Sequence, residues 1–352
     1  MGIQVAALTS GINVPPARFR IRQHIQPLRQ YGIQVQEYIP RISKYGLFGH
    51  NPQGFYRWLA LPAYSLWQGM KLLSRIPGIV GCWNSQITWL ERELITGIFT
   101  LEWLLRKPVV LDVDDAIWLT FPFSPSMLRM IARQVDVVVV GNSFLADWFS
   151  ATIKDIRIIP TAIDTKRFHP KMKAEDNDGV VIGWTGGSWN LSYLYAIEKP
   201  LGRVLKRYKQ ARLRVVCDQP PIMTEIPLEQ IDYIPWSAHS EVSAVQGMDI
   251  GLMPLPDNDW ARGKCSFKML QYMACGLPVV VSPVGMNADV LALNQVGLPA
   301  STPAQWEDAL STLITDRLFA RNMGLNGIRV VEKYFSREVV TAQLADVFVN
   351  LN

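Results

Sequence analysis

Cysteine is scarce in this chain, with four residues in 352, and Cys82, Cys217, Cys265 and Cys275 show no metal-type pairing. Their spacing excludes a cysteine-ligated zinc fold and a disulfide-stapled scaffold, and fits a reducing compartment. Histidine is equally sparse. His24, His50, His169 and His239 have no carboxylate or cysteine at ligand spacing, so structural roles are expected for them. No complete Walker A pattern and no recognisable Ser-His-Asp order occurs, which leaves kinase and hydrolase chemistry with little behind it. Spanning apolar segments are missing too. Trp58–Met70 is far short of the roughly 20 residues a membrane-crossing helix needs. Met269–Ala288 reaches that length, but Gly276, Pro278, Pro283 and Gly285 break it into helix and strand. Ile3–Leu8 is too short for a secretory h-region and has no basic flank, so a cytoplasmic protein is expected.

Acidic residues are rare in the first third. Residues 1–110 hold twelve Lys/Arg against Glu37, Glu91, Glu93 and Glu102, a balance of +8, while the whole chain carries +5. Such a basic half implies an anionic partner: a membrane surface, a phosphorylated acceptor or nucleic acid. Nucleic acid is the weakest of these, because no RNP, finger or basic-helix pattern appears. The aromatic stretch 55–80 reads as ordinary core helices, with an interfacial amphipathic helix as the other reading.

What the sequence does hold is apolar: 49% hydrophobic against 18% charged residues, suited to a well-buried α/β protein of two domains. Ile3–Leu8 reads as a first strand, with a helix to about Tyr31 and a strand at Ile33–Gln36, the opening of a doubly wound sheet. Pro108–Leu111 and Val135–Val140 are further buried strands, and Ile156–Pro160 closes the first domain. A polar linker, Lys171–Gly179, leads to strand Val180–Trp184 and the loop Thr185-Gly186-Gly187-Ser188, where glycines let backbone amides approach a phosphate. Strands at Arg212–Cys217 and Ile231–Ile234, a turn at Pro235-Trp236, a strand near Met248–Leu255 and helices at about 303–320 and 327–349 complete the pass.

The most informative stretch runs from Gly263 to Ser282 and reads as loop, helix, turn and buried strand. Ser266 is positioned to cap the helix through its hydroxyl, Gly276 to end it in a left-handed conformation, and Pro278 to prevent its continuation. Phe267, Leu270 and Ala274 form its core face, and Lys264, Lys268 and Gln271 a second stripe. A helix start already favours anions, and two lysines strengthen that preference, so the physical reading is a phosphate site.

These residues also carry a resemblance. Met273-Ala274-Cys275-Gly276-Leu277-Pro278-Val279-Val280 resembles the "EAMACGxPVV" segment of retaining GT-B glycosyltransferases, the large family four. Met248–Leu255 and Ile159–Pro170 are similar to that family's "aDIgl.Pl" strand and "IPNGID…F.P" connection. The resemblance implies two Rossmann-like domains facing a central cleft: 1–170 for the acceptor, 171–335 for the nucleotide sugar, and a C-terminal helix at 336–352. It implies a sugar donor of UDP or GDP type as co-substrate, no other cofactor, and a glycan or lipid-linked acceptor. Donor contacts are then expected from Gly186, Gly187, Ser188, Pro235, Trp236, Lys264, Cys265, Ser266, Lys268 and Gln271. Acceptor contacts are expected from Gly11, Arg18 and Arg20. Gly263 and Gln271 occupy the two positions at which the family carries glutamates.

Asp112-Val113-Asp114-Asp115 admits three readings: a metal-chelating DxD motif, a structural helix cap, or residues at a strand end facing the cleft. The expectation adopted is that Asp114 and Asp115 position sugar hydroxyls, while Lys264, Lys268 and the helix start stabilise the leaving diphosphate without metal. Two alternatives remain: a silent nucleotide-sugar-binding subunit, and a metal-dependent transferase using Asp112 and Asp114.

Overall fold

The computed structural model describes residues 2–12, 14–42, 61–171 and 179–352. Sequence readings that fall on 43–60 and 172–178, the start of the aromatic stretch and most of the polar linker, lie outside the described residues. The chain forms two compact units, one of Met1–Ala162 with Val340–Asn352 and the other of Ile163–Val339.

In the first unit, strands β1 (Ile3–Leu8), β2 (Ile33–Tyr38), β3 (Ile87–Glu91), β4 (Val109–Val113), β5 (Val137–Val140) and β6 (Ile156–Ile158) lie in the order 2-1-3-4-5-6. All pairings are parallel. A parallel sheet is covered on both faces, and this is why β5 is four consecutive valines, every one buried. The order reverses between β1 and β3, so the carboxyl ends of these two strands lie side by side, where doubly wound sheets gather ligands. Sequence reasoning did not anticipate β3. Five residues, all buried, show neither alternation nor length.

Helices α1 (Gln23–Leu28), α2 (Leu61–Cys82), α3 (Ser124–Ala132) and α4 (Ser143–Ser150) belong to this unit. The helix expected to run to Tyr31 is α1 flanked by a π-wound turn at Ala17–Arg22 and a 3₁₀ turn at Arg29–Tyr31, and Gly32 at φ 72° stops it. One side of α2 lies on the sheet: Ile79 and Cys82 are buried, and a side chain at Gly78 would press on Leu8 and Tyr38. Its other side is exposed, so core packing accounts for only half of this helix.

In the second unit, β7 (Val180–Thr185), β8 (Ala211–Cys217), β9 (Ile231–Pro235), β10 (Ile250–Met253), β11 (Val279–Val281) and β12 (Gly297–Pro299) lie in the order 12-11-10-7-8-9, again parallel throughout. The reversal falls between β7 and β10. Helices α5 (Leu191–Tyr195), α6 (Glu198–Arg207), α7 (Glu241–Gln246), α8 (Asp259–Arg262), α9 (Phe267–Ala274), α10 (Met286–Leu293), α11 (Pro303–Thr315) and α12 (Arg317–Val330) cover it. The helix expected over 303–320 divides at Asp316, whose carboxylate caps α12 through the Phe319 amide at 2.9 Å.

The last helix, α13 (Arg337–Leu351), returns to the first unit. Val340, Leu344 and Phe348 join the core of its sheet, and Phe348 meets Trp89 edge-on at 5.1 Å. His24 is buried there with Nδ1 2.7 Å from Thr341 Oγ1, a packing role.

Candidate functional site

In the second unit, α9 follows β10 and is locked to the sheet through Tyr272. Gly251 on β10 lets the tyrosine ring lie against the strand, since any Cβ there would overlap it. The Tyr272 hydroxyl accepts the Thr185 amide at 2.9 Å, and burial pushes its own pKa up, so it stays protonated. A Schellman motif ends the helix as the sequence indicated. Gly276 has φ 75°, its amide donates to Met273, and the Leu277 amide donates to Tyr272.

This anchoring brings Lys268, one turn before Tyr272, to the glycine loop after β7. Its Nζ lies over the Trp184 ring at 4.6 Å and against Gly186, where a Cβ would clash with Nζ and approach the Trp184 ring within 2.8 Å. Gly186 is thus required by close approach. Burial, and next the Lys264 ammonium, lower Lys268 to about 7. Lys264 is half-buried with Nζ 5.4 Å over Trp260. Lys268, in the first turn of α9, thus meets the glycine turn with the Lys264 charge nearby, a setting that favours an anion.

Other expected residues have different duties. Ser266 precedes α9 but does not cap it through its side chain. It adopts φ 49°, and its Oγ donates to Asn287 Oδ1 at 2.7 Å, inside the protein. Ser188 is not an open loop donor either, because Asp218 accepts both its amide at 2.7 Å and its hydroxyl at 2.9 Å. Burial opposes ionisation of Asp218, but these Ser188 bonds outweigh it and hold the carboxyl below its usual value. Gly187 is overlain by the ring of Trp189. Cys265 is buried, while Pro235 and Trp236 are exposed at the end of β9, with the Trp236 amide tied to the Cys217 carbonyl at 2.9 Å.

Gln271 is buried, and its Nε2 donates to Glu241 Oε1 at 3.1 Å. Glu241, buried at the start of α7, also receives Arg167 at 3.1 Å. A glutamate at 271 would bring two buried carboxylates together, so Glu241 accounts physically for glutamine at this position. Nothing in the sequence spacing linked residues 241 and 271.

In the first unit, the sequence-predicted aspartates lie at the end of β4. Arg92 bridges them: Nε donates to Asp114 Oδ1 and Nη2 to Asp115 Oδ2, both at 2.7 Å. Arg92 has φ 56°, and only Arg92 and Ser266 among the described non-glycine residues adopt a positive φ of this kind. Each such residue costs on the order of 1–3 kcal/mol and persists where the surroundings over-determine it, commonly at functional sites. Asp112 points elsewhere: it is buried and accepts Arg20 Nε at 2.7 Å. Arg20 also donates to the Ile159 carbonyl at 2.8 Å, which makes it an internal ion-pair partner and removes it as a surface cation for an acceptor. Arg18 is half-buried with its guanidinium 4.6 Å from the Phe19 ring, and Gly11 is buried, its carbonyl 3.4 Å from Arg22 Nη2.

Beside this lies a network that sequence reasoning missed. Glu91, the last residue of β3, accepts the Ser10 amide at 2.7 Å and the Ser10 hydroxyl at 3.0 Å. Arg75 from α2 donates to the Thr9 carbonyl, and burial lowers it to about 10 against the opposing pull of Glu91, Glu93 and Glu102. The signal available was Glu91-Arg92-Glu93 directly after an apolar run. Among the described residues, no group of three or more His, Cys, Asp or Glu is placed to hold a metal ion.

Residues 179–316, all within the second unit, match the family model described as Glycosyl transferases group 1. The whole fold is that of GT-B glycosyltransferases. Sucrose-phosphate synthase from Thermosynechococcus elongatus superposes with a TM-score of 0.72 at 13% identity, covering 99% of both chains. HepE from Anabaena, solved in complex with UDP-glucose, gives 0.70 at 12% identity over 99% of this chain and 100% of that one. A glycosyltransferase from Rickettsia africae gives 0.63 at 11% identity over 99% and 98%. No curated protein matches the sequence significantly.

Proposed function

We propose that this protein transfers a hexosyl group from a UDP- or GDP-type sugar to a glycan or lipid-linked acceptor, with retention of configuration and without a metal ion. The observation that carries the reading is the Lys268 amine held against the Gly186 turn, with the Lys264 charge near enough to lower its pKa. A departing diphosphate gains negative charge in the transition state, and preorganised cations aimed at it are commonly the largest catalytic term. The two ammonium groups and the start of α9 supply them. The group 1 family match over the same residues supports a nucleotide-sugar donor, as does the UDP-glucose bound by the similarly folded HepE.

Within this reading, Gly186 lets the Lys268 amine reach the turn where the diphosphate binds, Gly187 belongs to the same turn, and Pro235 and Trp236 lie beside the base. Asp114 and Asp115, fixed by Arg92, orient hydroxyl groups. The departing phosphate takes the acceptor proton on the face it leaves, so no strong protein base is needed. The protein acts in the cytoplasm, peripheral to the inner membrane face. Gly263 and Gln271, in place of two carboxylates, favour a second reading as a silent nucleotide-sugar-binding subunit.

Incubation with labelled nucleotide sugars tests the proposal, with the product anomer read by NMR. Transfer with retained configuration, undiminished by EDTA, is expected. Binding without turnover would select the silent subunit, and loss of turnover in EDTA restored by manganese would overturn metal independence.

A further inference from the structure

The outward side of α2 is apolar along its described length. Leu66, Met70, Leu73, Ile76, Val80 and Trp83 recur at steps of three and four residues, which places them in one stripe, and each is between 43 and 68% exposed. The two cations of the helix lie off this stripe, since Arg75 is buried and Lys71 stacks near Trp67 at 5.9 Å. Trp83 extends the patch, because its Nε1 donates to the Leu104 carbonyl at 3.1 Å, next to the exposed Trp103.

The charge balance of this half of the chain is strongly positive. Of the four acids in residues 1–110, Glu91, Glu93 and Glu102 are buried, and Glu37 is paired with Arg22 at 2.6 Å. The cations Arg29, Arg41 and Arg106 stay exposed, as does Lys107, which lies 3.7 Å from Asp136. Arg106 stands at the end of the stripe and donates to the Trp83 carbonyl at 2.5 Å. No helix among the described residues is long and apolar enough to cross a membrane.

We infer that the exposed face of α2 lies in the plane of an anionic lipid bilayer, its aliphatic side chains entering the acyl boundary, Trp83 and Trp103 at headgroup level, and Arg106 on lipid phosphates. An exposed apolar helix face, interfacial tryptophans and basic flanks are the elements of an in-plane amphipathic helix. The charge pattern decides the occupant. The +8 balance of residues 1–110, with Arg106 at the end of the stripe, is complemented by a negative surface, whereas a second copy of this chain would bring the same positive excess against it. The inference rests on the proposed peripheral location and names its surface, and membrane binding and turnover are measured separately, so the failure of one is distinguishable from the failure of the other.

Full-length protein is sedimented with phosphatidylglycerol–phosphatidylcholine vesicles and with pure phosphatidylcholine vesicles over a salt series. Binding to the anionic vesicles that fades with salt is expected. Leu73→Glu with Val80→Glu should weaken it at least about tenfold, while Leu228→Glu on the second unit should leave it unchanged. Arg106→Gln should weaken anionic binding about fivefold and keeps the apolar stripe intact, which provides a readout even if the double variant folds poorly. Absence of wild-type binding to anionic vesicles at low salt would overturn the inference, as would equal binding by the double variant. A dimer in light scattering that the double variant abolishes would assign the face to a second copy instead.

Discussion

The ammonium of Lys268 occupies the space that a side chain at Gly186 would need, so a helix residue and a loop residue far apart in sequence define one site. Gly186→Ala should therefore displace the lysine and crowd the Trp184 ring. A loss of about 1–2 kcal/mol in stability is expected, in the usual range for overpacking. Weaker binding of a nucleoside diphosphate should accompany it. Denaturant titration and calorimetry on the same variant read the two effects.

Lys268 makes stability and binding pH-dependent. Its folded value is about 7, because of burial and then Lys264, whereas an unfolded lysine titrates near about 10.4. Between those values the unfolded chain holds one more proton, so stability rises with pH across this window. Lys268→Met should flatten that rise and be more stable than the wild type near neutral pH. A bound diphosphate favours the charged lysine, so UDP binding should take up a proton near neutral pH, seen as a calorimetric heat that varies with buffer ionisation enthalpy.

Gln271 and Glu241 give a third expectation. Gln271→Glu sets a carboxylate beside buried Glu241. The variant should melt lower than the wild type at neutral pH and recover in mild acid, as one of the two carboxyls takes a proton. Adding Glu241→Gln should restore neutral-pH stability. A single variant as stable as the wild type at all pH values would remove the proposed reason for glutamine here.

The ion pairs of the first unit should separate by role. Arg20→Ala leaves Asp112 buried without its partner and should cost about 3–5 kcal/mol, seen as a lower denaturant midpoint. Arg92→Ala releases two partly exposed aspartates and leaves the positive φ in place, so a cost of about 1–3 kcal/mol is expected. Its larger effect should be on turnover, with nucleotide affinity in the second unit unchanged.

Much of the fold was legible because buried parallel strands are continuous apolar runs. Val180–Thr185 and Ile250–Met253 stand out in this way, and Gly276 with Pro278 punctuates α9. β3 was not legible, being short and followed at once by charges. The site was read in part. Helical spacing set Lys264 and Lys268 on one stripe, but Lys264 lies in the loop before α9 begins at Phe267, and only Lys268 is on the helix. The partners that decide what Ser188, Gln271 and Arg20 do are Asp218, Glu241 and Asp112, all distant in sequence. Helical periodicity carries no information on such pairs. The left-handed conformations of Ser266 and Arg92 likewise come from tertiary packing, since neither residue type prefers them.

The central claim is that a nucleoside diphosphate is held at Gly186, Lys264 and Lys268. Isothermal titration of UDP and GDP into the wild type and into Lys264→Ala and Lys268→Ala tests it most directly. Binding of at least one nucleotide is predicted, weakened in each variant by about 1.5–3 kcal/mol, as for loss of a charge-assisted bond. No binding of either nucleotide, or an affinity unchanged in both variants, would contradict it.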